Sequence, residues 1–392
     1  MKKIMFIGDK IYPLDSGDAL YNYGLVKGIE KYFDITSFAF IDPKYIAERD
    51  NLDNKNIKLY PSYENCGIRA NMMSRLGHGL PINQEMINDI FSLLDTKEYK
   101  VVIISHITMI QFARVLKKKY TNIEFIYVSH NVEIVNFMEE RVQLIKNKRF
   151  RLLYKLLTLV KEKNVKRDEK FLLSEFCHSF TISMSDYEMQ RHIYKSIVKP
   201  CYCKPLIEFP HVKNEESLKK FNKKILLAGS MGWFPNIEGA EWFVNHVFEQ
   251  LANTGYILYL VGNRPDKKIF DLQRRYPKNI VVTGRVESMD EYFEKCDISI
   301  IPLFSGTGAK IKVLESIARG IPTIATSFAV KDYNLKEEVI VADSAEDFYI
   351  SINQIKENYG RRLSLYRNMQ IYYSNYMMLS QEIKSLLDEL VK

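Results

Sequence analysis

The sequence predicts an α/β protein of two doubly wound, Rossmann-like domains, and three observations carry that prediction. Short β-branched apolar runs alternate with segments of helical period along most of the chain, the pattern of parallel sheets covered by helices on both faces. The alternation lapses once, over residues 199–224, where Pro200, Pro205, Pro210 and the charged run KNEESLKKFNKK read as a linker, and then restarts. A length of 392 residues also exceeds what one core usually fills. We place the first domain at 1–204 and the second at 205–369.

In the first half, residues 3–8 (KIMFIG) read as a buried strand. A loop with Pro13, Ser16 and Gly17 follows, then a helix starting near Asp18, a residue type suited to an N-cap. Further strands are expected at 35–40, 101–105, 125–129 and 180–183. Ligands of such sheets bind outside the carboxyl ends of the strands, which points to His106, His130 and Ser185. Between 50 and 97 no motif is readable.

The second half holds the most organised stretch. Residues 298–303 read as a doubly buried strand, Ser305-Gly306-Thr307-Gly308 as a polar glycine loop, and 309–319 as a helix with Ile311, Leu314, Ile317 and Ala318 at helical spacing. Gly320 and Pro322 close that helix and launch a strand at 323–326. At such a loop the first N–H groups of the helix lack internal partners and carry the positive end of its dipole, so an anion is favoured there. Lys310 and Lys312 add full charges, and Glu315 lies one turn further in. The set suits a diphosphate bearing a hydroxylated group. Spacing alone equally allows a βα turn whose Lys312 and Glu315 form a surface pair.

The tail of this stretch, KVLESIARGIPTIAT at 312–326, resembles the donor-binding segment of glycosyltransferase family 4, the retaining GT-B enzymes, in the branch with a GTG-type loop. The family's E-x7-E pattern places its second glutamate on Glu315 and its first on Thr307. VSHNVE at 128–133 is similar to the family's H-N-x-E segment. The segment at 224–247 is similar to a strand followed by G-x-M-x-W-x-P-N, matched by Gly229, Trp233, Pro235 and Asn236. Ser16 and Gly17 match part of the first loop, and FTISMSDYEMQ at 180–190 matches a segment in which Ser185 and Asp186 are structural.

The resemblance implies a GT-B architecture, two Rossmann-like domains facing across a cleft, with a last helix at about 370–392 that packs back on the first domain. The second domain would hold a nucleotide-diphosphate sugar, and a hexose-type sugar would pass with retention to a glycan or lipid-linked acceptor, in the setting of bacterial surface polysaccharide assembly. Residue by residue, it implies catalytic roles for His130, Glu315 and Lys312. Donor contacts fall on Gly17, Gly229, Gly306, Thr307, Gly308, Lys310, Lys312 and Glu315, with nucleobase-reading backbone at 283–286. Asn131 and Glu133 fall on the acceptor side. Many relatives carry an arginine and a lysine between 230 and 241, where this chain has no basic residue. The diphosphate's charge must then be met elsewhere, by Arg264, Arg285 or the Lys310/Lys312 pair, Lys312 first and Arg264 next. No D-x-D pair stands in a convincing loop, so no metal and no cofactor are expected beyond the donor itself.

Apolar content of 46% with 27% charged residues is ordinary for a soluble globular protein, and no run approaches the roughly eighteen apolar residues of a membrane span. Five scattered cysteines fit reduced thiols and a cytoplasmic protein. The net charge of +8 equals the surplus at 141–170 alone, where eleven Lys or Arg stand against Glu162, Asp168 and Glu169. With Leu152, Leu153, Leu156, Leu157 and Val160 as an apolar stripe, this reads as an amphipathic helix able to rest on an anionic membrane surface, or as a solvated face. No nucleic-acid motif accompanies the charge, so nucleic acid is not an expected partner. Three rival functions stay open: a GT-B sugar-nucleotide epimerase, a non-catalytic nucleotide-sugar-binding protein, and a peripheral membrane protein acting through 141–170.

Overall fold

The computed structural model describes residues 2–14, 16–51, 56–62, 76–135, 137–138, 151–194, 200–377 and 380–391. The chain divides into two compact units, 1–207 with Thr307–Ala309 and Met378–Lys392, and Glu208–Gly306 with Lys310–Met377.

The first unit is a seven-stranded parallel sheet of β1 (Lys3–Lys10), β2 (Asp34–Ile41), β3 (Ile57–Pro61), β4 (Tyr99–Ser105), β5 (Glu124–Ser129), β6 (His178–Thr181) and β7 (Pro200–Tyr202), in the order β3-β2-β1-β4-β5-β6-β7. Ile4 of β1 pairs with Ile35 on one side and Val101 on the other, and Ile4, Met5, Phe6 and Ile7 are fully buried. The runs of buried apolar side chains on β1, β2, β4 and β5 are what a sheet with helices on both faces requires. The helix Gly17–Glu30 turns Ala19, Tyr21, Leu25, Val26 and Ile29 inward. At its Gly24 a Cβ would stand 2.1 Å from the carbonyl oxygen of Leu206, so the chain leaving β7 crosses the helix only because that position has no side chain.

The second unit is a six-stranded sheet of β8 (Lys224–Ala228), β9 (Ile257–Val261), β10 (Ile280–Gly284), β11 (Ile298–Ile301), β12 (Thr323–Ala325) and β13 (Ile340–Val341), in the order β10-β9-β8-β11-β12-β13, again all parallel. Its core runs from Ile225 and Leu258 through Ile300 and Leu314 to Phe348 and Leu365. The helix Ile311–Arg319 ends at Gly320, left-handed at φ 73°, and is pinned to β11 by a bond between the Ser299 and Ser316 hydroxyls at 2.9 Å.

Three expectations need correcting. The proline-rich stretch after 199 is not only a linker: Pro200–Tyr202 joins the first sheet beside β6, because parallel pairing can use the carbonyls that prolines retain. Beyond it the charged run is exposed at Asn214–Ser217, Lys219, Lys220 and Asn222, as a surface stretch is, and is anchored by the buried Leu218 and by Lys213, which donates to the Glu294 carbonyl at 2.5 Å. The last helix, expected to run continuously to the end, is two: Tyr359–Tyr376 belongs to the second unit and Gln381–Leu390, capped by Ser380, to the first. Asp18 is not the N-cap of the first helix; Ser16 is, accepting from the Ala19 N–H at 3.5 Å.

Candidate functional site

In each sheet the strand order reverses beside the first strand of its unit, between β1 and β4 and between β8 and β11. Doubly wound sheets bind ligands just beyond the carboxyl ends of such strands.

In the second unit β8 runs into Gly229, at φ 138°. A Cβ there would stand 2.9 Å from both the Asn236 amide nitrogen and the Lys312 ammonium, so a bare backbone is what brings Lys312 flush against the end of β8. Gly262, at φ 152° beyond β9, packs still closer: its Cβ would fall 1.7 Å from the Gly229 oxygen. The Asn236 Nδ2 donates to the Ser230 carbonyl at 2.8 Å, which turns its Oδ1 toward the Lys312 ammonium. The basic charge missing from 230–241 is therefore supplied to that segment by Lys312. Burial pushes the Lys312 amine down to about 7, helped by Lys310 and opposed by Glu315.

The same physics shapes the neighbours. Lys310 is buried and donates to the Gly306 carbonyl at 3.1 Å, so its ammonium ties down the glycine loop where a charge offered to a ligand was expected; a buried lysine needs an acceptor at once. Gly306, at φ 106°, lets the loop lie on Trp233 and Pro235. The helix begins at Ile311, two residues later than expected, and no side chain caps it. Burial pushes the Glu315 carboxyl up, while Arg319, 3.2 Å away, and Lys312 pull it down. Arg264 and Arg285 are exposed on the loops after β9 and β10, Arg264 with a left-handed φ of 49° beside Gly232.

In the first unit the carboxyl edge carries a different set. His130 is buried; its Nε2 meets the Ser105 hydroxyl at 2.8 Å and the Asn22 Oδ1 at 3.2 Å, and its Nδ1 faces Asp18 at 3.0 Å. Because the Asn22 Nδ2 donates to the Lys10 carbonyl and the Ser105 hydroxyl donates to the Asn22 Oδ1, both groups near Nε2 accept, so Nε2 carries a proton. His106, at φ 74°, stacks edge-on against His130 with centroids 5.3 Å apart. Its Nδ1 lies 3.1 Å from Asp9 and its Nε2 3.7 Å from Glu133. Burial works against its charge, but Asp9 and Glu133 outweigh it and push the imidazole up to about 10. Glu133 is held in place by Glu169, whose carboxylate accepts from the Glu133 and Ile134 N–H groups and from the Tyr194 hydroxyl at 2.5 Å.

The tip Thr307–Ala309 belongs to this first unit. Thr307 donates to the Asn131 Oδ1 at 3.1 Å, and the Gly308 N–H donates to Asp186 at 2.9 Å. Asp186 thus does more than cap its own helix, a task done by the Ser183 hydroxyl at 3.0 Å. Gly308 is needed because a Cβ would meet the Asn131 side chain at 2.7 Å and the His130 carbonyl at 2.8 Å. Gly17 is the exposed first residue of its helix.

Asp9, Asn22, Ser105, Glu169 and Arg319 were not singled out from sequence. Asp9 and Ser105 stand at strand ends and were reachable by the carboxyl-edge rule; Asn22, Glu169 and Arg319 sit inside helices with no local signal.

Residues 222–358 match a family model described as Glycosyl transferases group 1. No curated protein matches the chain by sequence. Among solved structures, S. aureus TarM, in complex with fondaparinux, alpha-GlcNAc-glycerol and UDP, aligns at TM-score 0.68 and 10% identity over 100% of both chains. HepE of Anabaena, in complex with UDP and glucose, aligns at TM-score 0.67 and 12% identity over 99% of this chain and 100% of its own. Sucrose-phosphate synthase of Thermosynechococcus elongatus aligns at TM-score 0.65 and 14% identity over 100% of this chain and 99% of its own. The chain has the GT-B fold. Its two Rossmann-like sheets are the GT-B pair, and the family match falls on the second of them. Among the described residues no helix is long and apolar enough to cross a membrane. Of the basic stretch, residues 141–150 and the side chains of 151–157 lie outside the described residues; further along the helix Arg151–Glu175, Leu159 and Val160 are exposed and Asp168 and Glu169 buried.

Proposed function

We propose that this GT-B protein is a retaining, metal-independent glycosyltransferase. It moves a hexose-type sugar from a nucleotide-diphosphate donor to a glycan or lipid-linked acceptor, in the assembly of bacterial surface polysaccharide. The observation that carries the reading is the Lys312 ammonium, held at the end of β8 between Gly229 and Asn236 with Glu315 one turn further along its helix. A buried amine whose protonated form is costly gains most from an anion, and a diphosphate supplies one. Support also comes from the group 1 match over 222–358 and from the UDP in the TarM and HepE structures.

In this reading Lys312 and Arg264 meet the diphosphate and Glu315 accepts from the ribose hydroxyls. Gly229 and Gly306 keep backbone close to the phosphates, and Arg285 stands by the nucleobase. His130 is assigned to the transferred sugar, and Asn131 and Glu133 to the acceptor. Retention follows if the departing phosphate takes the acceptor proton on the same face, so that the side chains act by position and charge. The basic stretch at 141–170 would then bring the protein to an anionic surface carrying a lipid-linked acceptor.

The test is a thermal-shift screen against UDP, GDP, ADP, CMP and dTDP sugars, repeated on Glu315→Ala and Lys312→Ala. One nucleotide is expected to raise the melting temperature of the parent, and both variants to abolish the rise. Variants that respond as the parent does would show that the site lies elsewhere.

A further inference from the structure

We infer that Arg319 is a positioning residue: it holds one carboxylate oxygen of Glu315, leaves the other to a ribose, and so sets how strongly the second unit prefers ribonucleotides to deoxy forms. This role presupposes the donor reading above for what Glu315 binds. The arrangement that supports it is wholly within the second unit.

Arg319 is the last residue of the helix Ile311–Arg319, one turn beyond Glu315, yet its side chain is only 6% exposed and that of Glu315 14%. A surface pair at this spacing would let both side chains sample many rotamers and would orient nothing. Here three constraints act on one guanidinium. Its carbon lies 4.8 Å from the Phe209 ring centroid and 4.7 Å from that of Phe293, so two aromatic faces fix its plane. Its Nε and Nη2 reach Asp290 Oδ1 at 3.0 and 2.9 Å, which fixes its rotation within that plane. Its Nη1 then lies 3.2 Å from Glu315 Oε1 as an ion pair, and that nitrogen makes no hydrogen bond to any described residue.

A hydrophobic residue would pack against Phe209 and Phe293 without the cost of burying a charge. The guanidinium is explained by what it holds. The charges facing the Glu315 carboxylate are Arg319 and Lys312 from its own helix and Asp290 from the helix Asp290–Lys295. Without Arg319 the carboxyl loses its strongest charged partner while its burial stays. It then takes up a proton more readily and turns freely, and a protonated, turning carboxyl cannot accept from two ribose hydroxyls at once.

The experiment is calorimetric titration of the parent, Arg319→Met and Asp290→Asn with the nucleoside diphosphate found in the thermal screen and with its 2′,3′-dideoxy counterpart. Hydrogen bonds to a charged acceptor predict a parent preference for the ribose form of roughly tenfold to a hundredfold. Arg319→Met is expected to reduce that preference below about threefold, within the reach of one lost charged bond, and to leave affinity for the dideoxy ligand unchanged. Asp290→Asn, which loosens the guanidinium while removing a negative charge that disfavours the ionised Glu315, should lower the preference part of the way through lost orientation alone and carries the test if Arg319→Met does not fold. A variant that keeps the parent's preference, or weakens both ligands equally, overturns the role of Arg319, as does a parent that binds both forms alike. A parent that binds no nucleoside diphosphate removes the donor reading itself, an outcome distinct from any selective loss.

Discussion

The carboxyl edges of the two sheets share a topology and differ in chemistry. Beyond β1 and β4 the first unit gathers Asp9, Asp18, Glu133, His106 and His130, a set richer in carboxylates than in cations. Beyond β8 and β11 the second unit offers glycine backbone, the Lys312 ammonium and a single carboxylate already leaning on an arginine. The same switch point in a doubly wound sheet is thus lined by carboxylates and imidazoles in one unit and by glycine backbone and a buried amine in the other. What the difference teaches is that the fold supplies the place and the side chains at strand ends choose the charge.

The comparison breaks most severely where backbone touches backbone. Gly262→Ala would set a Cβ against the Gly229 oxygen at a φ that side chains rarely adopt, and should cost the second unit roughly 3 kcal/mol or more. Urea unfolding checks this, and a loss below about 1 kcal/mol, the level of an ordinary substitution, would mean that the two loops are not packed as described. A histidine that reaches about 10 in the folded chain, against an ordinary 6.5, stabilises fully below pH 6.5 and loses that contribution as the pH climbs through 10. Between pH 7 and 9 the first unit should therefore lose on the order of 2 kcal/mol, a slope absent in His106→Asn. Hydrogen exchange of β1 and β4 amides at the two pH values reads this unit separately.

Lys312 sharpens the contrast because its slope has the opposite sign. Its folded value of about 7 lies below the ordinary 10.5, so the unfolded chain binds more protons between those values and stability rises with pH. The second unit should gain slightly less than the first loses, on the order of 2 kcal/mol from pH 7 to 9, since half of the folded amine is already neutral at the lower limit. Exchange of β8 and β11 amides in the parent and in Lys312→Met checks it. Slopes of equal sign in both units would contradict the chemistry described for their two edges.

Much of the fold was legible in sequence because buried parallel strands must be apolar on both faces, a signal that survives without partners. The runs at 3–8, 101–105 and 298–303 correspond to β1, β4 and β11, except that β1 pairs on to Lys10, β4 starts at Tyr99 and β11 stops at Ile301 before its apolar run stops. What misled was local chemistry read alone. Three prolines argued for a linker where Pro200–Tyr202 pairs as an edge strand, and Asp18 looked like a cap although its carboxylate belongs to His130. Of the candidate site, Gly229, Lys312 and Glu315 could be named from spacing and resemblance. Asn236 came with the same resemblance as Gly229, but its pairing with Lys312, 76 residues away, did not, and neither did Arg319 beside Glu315 or Asp290 beside Arg319, 29 residues away.

By itself the sequence determined the βα alternation, its restart in a second half, and the residue types at the strand ends. These depend on short-range burial patterns and on which groups a turn can place. Tertiary structure decided which of those groups act together. Lys310 was taken by a carbonyl of its own loop and Lys312 was left against an amide and a glycine. Burial makes every polar group find a partner, and only the packed chain shows which partners are within reach.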